Sequence, residues 1–361
     1  MPASTPLIDM QNMKGLLQSM PQHVEQAAKL GKNVSFSNAT IRSVVICGMG
    51  GSAIGGQLLA DYFQHKLAPS MYQSLHFFNK QPSSYTLKSI TCNRDYALPA
   101  TVDENTLVII SSYSGNTEES ISCYREALKK TKNIMIITSG GRLKEASLRD
   151  NVPCIELPQG LPPRIALPYL FLPLLNVLDI NRLIPDQSKD VQSVLKATRT
   201  NYEQTAQDLA QKLQGKIPLV YASTQYYVAA YRMKTQFNEN TKIPAYANAF
   251  PEMNHNELCT LTSPFTEKFA VILLTADDDH KRVQKRMTIF RDLIGKKAKQ
   301  QGITSMPVIE IRLHGDTYLG KACSAIFLGD WISYHLAINY STNPTPVDIV
   351  EEFKKLMGSF L

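Results

Sequence analysis

No apolar run in this 361-residue chain approaches the roughly 18 residues needed to cross a bilayer, and its opening, MPASTPLIDMQNMKG, lacks the apolar core of a secretory signal. Both absences argue against a membrane protein and place the chain in the cytoplasm. Six cysteines (Cys47, Cys92, Cys123, Cys154, Cys259, Cys323) occur without CxxC spacing, which indicates neither a zinc site nor a disulfide framework and leaves them reduced. Cys47, closing an apolar strand, reads as a small buried hydrophobe, with a redox role as its alternative. A net charge of +7 is not gathered into a basic patch with aromatics, so no nucleic-acid partner is expected. The densest cluster, Lys296, Lys297 and Lys299, reads as a solvated helix face. Mild positive charge suits a small anionic substrate without demanding one.

What the chain does have is 43% hydrophobic content, enough for a sizeable core, and a length that suggests two domains. Its central stretch is Leu107 to Thr117, LVIISSYSGNT, followed by a helical run from Glu118 to about Lys130. Four apolar residues read as a buried parallel strand, and the hydroxyls of Ser111, Ser112, Ser114 and Thr117 follow at once, with Gly115 to turn the backbone and Asn116-Thr117 as a capping pair. A helix N-terminus beyond such a loop is an anion cradle. The loop has no lysine and no GxxxxGK[ST] spacing, so it is not a nucleotide P-loop and better suits a small phosphorylated metabolite. An ordinary Ser-rich turn is the alternative.

The order strand, loop, helix appears twice. Residues 1–35, with Met13, Leu16, Leu17, Met20, Val24, Ala27 and Leu30 at helical spacing, form a helical lead-in. In residues 36–182, SVVICGMGGSAIGGQLLADYF, LVIISSYSGNTEESISCYREAL and NIMIIT carry the pattern. In residues 183–361 it recurs in PLVYASTQYYVAAYRMKTQF, FAVILLTADDDHKRVQKRMTIFRDLI and PVIEIRL, so a duplicated α/β domain is expected. The Pro- and Leu-rich segment from about Pro158 to Asp186 closes the first domain and links it to the second. Where the first half has hydroxyls, the second has Asp277, Asp278 and Asp279, which would repel a phosphate at the same helix terminus. They read as a solvated helix N-cap, with a metal site as the alternative.

The run GMGGSAIGG (Gly48 to Gly56) contains GxGxxA after a strand, so a dinucleotide site has to be weighed. The next predicted strand, SLHFF, ends in Asn79-Lys80 rather than the acid an NAD site wants, which leaves an NADP site or a close approach of a polyol, with Ser52 as a hydroxyl contact. Glu239, between Asn238 and Asn240 at a helix end, is the best candidate for a general base. His255, between Asn254 and Asn256, is the natural proton carrier. A surface glutamate and a hydrogen-bonded loop histidine are the plainer readings.

Six motifs, GMGGSAIGG, SYSGNTEES, GLPPR, NENTKIPA, PEMNHNE and NPTPVDIVEEFKK, occur in an order that resembles the bifunctional phosphoglucose/phosphomannose isomerases, which are built from two sugar-isomerase (SIS) domains. The resemblance runs from about Val44 to Met357. It implies two doubly wound parallel-sheet domains of flavodoxin-like αβα form and a cofactor-free, metal-free aldose–ketose conversion of glucose 6-phosphate or mannose 6-phosphate to fructose 6-phosphate. By the same resemblance Ser112, Ser114 and Thr117 bind phosphate and Gly51 and Ser52 line the sugar. Arg164 steadies the enediolate, Glu239 is the base, His255 and Lys354 serve ring opening, and Thr345 helps set tolerance at C2. A homodimer is implied in which His255 is donated across the interface. Moving a proton between C1 and C2 needs one base, a cation near the enediolate and an acid–base group for the hemiacetal, which Glu, Arg and His supply. Arg164 has a plainer reading too, as a loop arginine pairing with a nearby acid. Lys354 lies at the edge of an apolar stripe (Ile349, Val350, Phe353, Leu356, Met357, Phe360) while Lys355 points away; a snorkelling lysine is its alternative. Thr241 departs from the family, where a small apolar residue is expected, as does Ser120, where Thr is commoner. Two other readings stand: a SIS sugar-phosphate regulator, for which the first 40 residues are too short and weakly basic to hold a DNA-binding domain, and an amino-sugar phosphate isomerase, whose synthase form would need a glutaminase with an N-terminal cysteine.

Overall fold

A computed structural model describes residues 8–36, 41–73, 85, 87–262, 264–302, 306–358 and 360. They fall into two compact units, Met20–Leu195 and, separately, Lys196–Leu361 with the residues up to Ser19. The expected lead-in is broken at Ser19 into α1 (Met13–Gln18) and α2 (Met20–Ala27), which therefore belong to different units. Met13, Leu17, Met20, Val24 and Ala27, all at the spacing noted in the sequence, are buried.

In the unit Met20–Leu195 the chain runs β1 (Ser43–Cys47), α3 (Gly50–Tyr62), a π-turn, α4 (Ala68–Gln73), β2 (Ser89–Asn93), β3 (Thr106–Ser111), α5 (Glu118–Lys130), β4 (Ile134–Thr138), α6 (Gly141–Arg149), β5 (Cys154–Glu156) and α7 (Leu167–Ile180). All pairings are parallel, in the order β2-β1-β3-β4-β5. A parallel strand covered on both faces must be apolar throughout rather than alternating, and β3 and β4 are buried at every position. The strand beside β1 is thus β2; SLHFF lies outside the described residues. The Pro- and Leu-rich segment contains a helix, α7, at its centre. Pro168 occupies the first turn, where no N–H partner is lost, and α7 packs its apolar length against α2 and α3. The unit division therefore falls beyond 182, inside α8 (Ser188–Thr198).

The second unit continues through α9 (Glu203–Leu213), β6 (Ile217–Ser223), α10 (Tyr227–Gln236), β7 (Tyr246–Phe250), β8 (Phe269–Thr275), α11 (Lys281–Gln301), β9 (Val308–Arg312), α12 (Tyr318–Asn339) and α13 (Asp348–Met357). Its parallel order is β7-β6-β8-β9, the arrangement of the first unit without a fifth strand. Lys242 to Pro251 contains edge strand β7. Phe250 of that strand meets Tyr221 and Phe290 edge to face. Among the described residues no helix is long and apolar enough to cross a membrane.

Candidate active site

In each sheet the first and third strands are neighbours, and the connections leaving them diverge, so a crevice opens at their carboxyl ends. In the first unit that crevice gathers three of the sequence motifs. β1 delivers Gly48 to Ser52, and β3 delivers Ser111 to Thr117. Ser52 joins them, its Oγ accepting from the Tyr113 N–H at 3.0 Å and its carbonyl from Ser111 Oγ at 3.1 Å. Tyr113 carries the third motif, for its hydroxyl donates to the Pro158 carbonyl at 2.6 Å and accepts from the Leu161 N–H at 3.0 Å. Burial raises the Tyr113 phenol above its ordinary range, which keeps that donor protonated.

From Leu161 the chain turns through GLPPR against the start of α3. A Cβ on Gly51 would stand 2.9 Å from the Pro163 carbonyl and 3.3 Å from Arg164 Cα, so glycine is required there by the approach of that loop. The same contact brings the buried Arg164 to the crevice. Gly51, Ser52, Ser112, Ser114, Thr117 and Arg164 are therefore assembled in one place. In the Ser loop, Ser112 Oγ accepts from the Gly115 N–H and lies 2.9 Å from Thr117 Oγ1, while Ser114, exposed, accepts from the Asn116 N–H. Gly115 has φ +69°, which an L side chain rarely adopts, and the Gly140 carbonyl leaves no room for a Cβ. α5 starts at Glu118 as expected, with Thr117 as N-cap, but without a cap bond from its side chain, which turns to Ser112 instead.

The remaining candidates belong to the other unit. Glu239, half-buried, lies in a π-turn (Phe237–Thr241) that continues α10. Of its flanking amides, Asn238 donates to the Ile243 carbonyl and Asn240 to Ser333 Oγ. Lys242 Nζ donates to the Glu239 and Pro344 carbonyls, tying the NPTPV loop, with Thr345 half-buried in it, to the same turn. His255 ends a short 3₁₀ turn anchored by Met253 in the core and by Glu257, which accepts from Tyr221 and Asn248. The ring itself is exposed, and its neighbours bond elsewhere, Asn254 to Arg286 and Asn256 to Glu252. Lys354 pairs with Glu351 at 2.7 Å on α13, none of whose residues is buried. The stripe expected to pack inward is exposed, with Phe353 at 64% and Leu356 at 81%, so within the described chain it does not steer Lys354 toward a site.

The Asp run is not a solvated N-cap. His280 caps α11, its Nδ1 accepting from the Arg282 N–H. Asp279 is buried and accepts from the Ala276 N–H at 3.0 Å and from Gln225 at 2.9 Å. Lys321 bonds Asp277 and Asp278, and holds the Asp277 carboxyl below its usual range. Tyr226 donates to Asp278; burial first, then that carboxylate, pushes its phenol up.

Doubly wound parallel sheets carrying a hydroxyl-lined crevice at the switch point define the class of the SIS phosphosugar proteins. In line with that, the C-terminal domain of glucosamine-fructose-6-phosphate aminotransferase from Francisella tularensis superposes with a TM-score of 0.68, covering 92% of this chain and 98% of that one at 15% identity. Residues 202–357 match the bacterial phospho-glucose isomerase C-terminal SIS domain. The bifunctional phosphoglucose/phosphomannose isomerase of Caldicellulosiruptor bescii is 39% identical over 94% of this chain and 97% of its own length. That of Aquifex aeolicus is 32% identical over 87% and 90%. The chain belongs to the bifunctional phosphoglucose/phosphomannose isomerase family.

Proposed function

We propose that the chain interconverts glucose 6-phosphate and mannose 6-phosphate with fructose 6-phosphate through an enediolate, without metal or cofactor. The observation that carries this reading is the convergence of GMGGS, SYSGNT and GLPPR on one crevice, where neutral hydroxyl donors and the buried Arg164 come from neighbouring loops and support the binding of a phosphorylated sugar. Ser112, Ser114 and Thr117 take the phosphate, Gly51 and Ser52 the sugar hydroxyls. Ser52 suits that role, since its Oγ accepts from the Tyr113 N–H and keeps its own hydrogen to donate. Glu239 takes the C2 proton of the aldose and returns it to C1, while the hydroxyl proton moves from O2 to O1; Arg164 stabilises the charge that develops between these steps. His255 and Lys354 open the ring, and Thr345 sets the room at C2 for either epimer. The enzyme works in the cytoplasm as a homodimer, with His255 entering the neighbouring subunit's site; its exposure and anchored turn support that placement.

The test is a coupled assay from fructose 6-phosphate, with and without ammonia or glutamine, on wild type and Glu239→Gln. Wild type should form both aldoses without a nitrogen donor. The variant should lose on the order of 10³-fold in turnover and all exchange of the C2 proton with solvent. Mixing Glu239→Gln with His255→Ala subunits should restore activity, because one site of each mixed dimer then carries neither defect. An inactive mixture after proven subunit exchange would rule out donation across the interface.

A further inference from the structure

Glu239 stands on unusual ground. π-turns are rare, poorly bonded along the backbone and kept only where surrounding contacts over-determine them. Here the contacts are specific. Thr241, one of the two departures from the family pattern, donates its hydroxyl to the Phe237 carbonyl inside the turn. Lys242 closes the turn in the left-handed region at φ +59°. From the buried side Asn240 Nδ2 donates to Ser333 Oγ at 2.9 Å, and Ser333 Oγ to the Asp330 carbonyl at 2.8 Å, both on α12. Asp330 in turn meets Arg232 of α10 at 3.2 Å, and all four side chains are 2% exposed or less.

Two features of this cluster fit poorly with a purely structural role. A buried ion pair is seldom a net gain over apolar residues of the same volume, because desolvation cancels most of the attraction. Gln236, one turn before Glu239, is fully buried, and among the described residues neither its Oε1 nor its Nε2 has a hydrogen-bond partner, so both carry an uncompensated desolvation penalty. Polar groups that are costly to bury thus lie beneath the turn carrying the carboxylate.

We propose that Asn240, Ser333 and the Arg232–Asp330 pair are positioning residues for the base: they pin the π-turn to α12 and so fix the height and direction of the Glu239 carboxylate. The proposal rests on the reading of Glu239 as the proton carrier. Displacing a base by about 1 Å is enough to cost on the order of 10²-fold in rate without affecting the binding of a substrate held elsewhere.

The experiment compares Asn240→Ala and the volume-keeping double variant Arg232→Met/Asp330→Leu with wild type and Glu239→Gln, measuring kcat, KM, melting temperature and the isotope effect with 2-deuterated glucose 6-phosphate. Positioning requires kcat to fall at least about tenfold, KM to stay within about twofold and the isotope effect to rise as proton transfer becomes limiting. The double variant, which removes the buried charges without leaving a cavity, should do this while keeping its melting temperature. Ser333→Thr, which keeps the hydroxyl, should retain more activity than Ser333→Ala. Wild-type kcat in a folded Asn240→Ala or double variant, beside an inactive Glu239→Gln, overturns the positioning role alone. Activity in Glu239→Gln overturns both readings. A loss that merely follows the folded fraction makes the cluster structural and also overturns the proposal.

Discussion

The loop after β3 and the loop after β8 occupy the same place in two sheets of the same strand order, and they solve the same problem in opposite ways. Each joins a buried parallel strand to a helix, and each leaves backbone N–H groups near a helix N-terminus that attract negative charge. After β8 the chain supplies that charge itself: Asp279 folds back onto the Ala276 N–H, and Lys321 and Tyr226 hold the other two carboxylates. After β3 the nearest carboxylate, Glu118, accepts from Tyr96 instead, and the loop presents hydroxyls. With the first loop as the phosphate site proposed above, a switch point takes a ligand where the chain has not filled it with its own acid.

The sharpest way to break this comparison is to give the first loop the second loop's chemistry. Ser114→Asp places a carboxylate in the exposed part of the cradle, where repulsion of a phosphate at about 4 Å and loss of the hydroxyl together should cost on the order of 10³-fold in kcat/KM for fructose 6-phosphate. Ser114→Ala with Thr117→Ala removes donors without adding charge and should cost about 10–10²-fold. Part of that loss should fall on kcat, since binding of a remote, non-reacting group is used in the transition state. Both proteins should fold. Unchanged steady-state kinetics in either would move the phosphate away from this loop.

How far the sequence announced this division depends on whether a residue acts locally. β3 and α5 were legible to within a residue, because an unbroken β-branched run, a glycine and a string of hydroxyls are local signals. α7 was hidden by Pro168 and Pro173, which suggest a link unless the first-turn position and full burial are known. β7, five residues with two alanines and an asparagine beside Pro251, carries almost no strand signal, and only its pairing with β6 makes it one. The site motifs were visible, but their reasons were not. Gly51 is set by Pro163 more than one hundred residues on, and the bridging role of Tyr113 depends on Pro158 and Leu161. The amides adjacent in sequence to His255 bond to Arg286 and Glu252, partners that only the fold brings near.

If the second loop is a self-filled structural knot, damaging it should affect stability and spare chemistry. Asp279→Ala leaves the Ala276 N–H without its acceptor and removes one of the two bonds of the Gln225 amide, which keeps the Asp278 carbonyl, for an expected loss of about 2–4 kcal/mol. That corresponds to roughly 5–15 °C in the melting temperature of a domain this size. Asp279→Asn, which keeps one acceptor oxygen for one of the two donors, should lose less. The KM of the folded Asp279→Ala protein for fructose 6-phosphate should match wild type; a several-fold rise would make this loop part of the substrate site.

The smallest expected effect is none, and it tests the one remaining use of the Asp run. Three consecutive aspartates invite a divalent cation, but a cation such as calcium needs several oxygens converging with lone pairs to spare. Here Lys321 Nζ lies against Asp277 and Asp278, Tyr226 donates to both oxygens of Asp278 at 3.0 and 3.1 Å, and Asp279 points to Ala276 and Gln225. The ammonium does the neutralising that a metal would do, and among the described residues no group of three or more His, Cys, Asp or Glu side chains could hold an ion. Exhaustive dialysis against EDTA should therefore leave the isomerase rate and the melting temperature unchanged. A rate that falls and is restored by zinc or magnesium would make the second loop a cation site, and the contrast between the two loops would become one between two kinds of ligand.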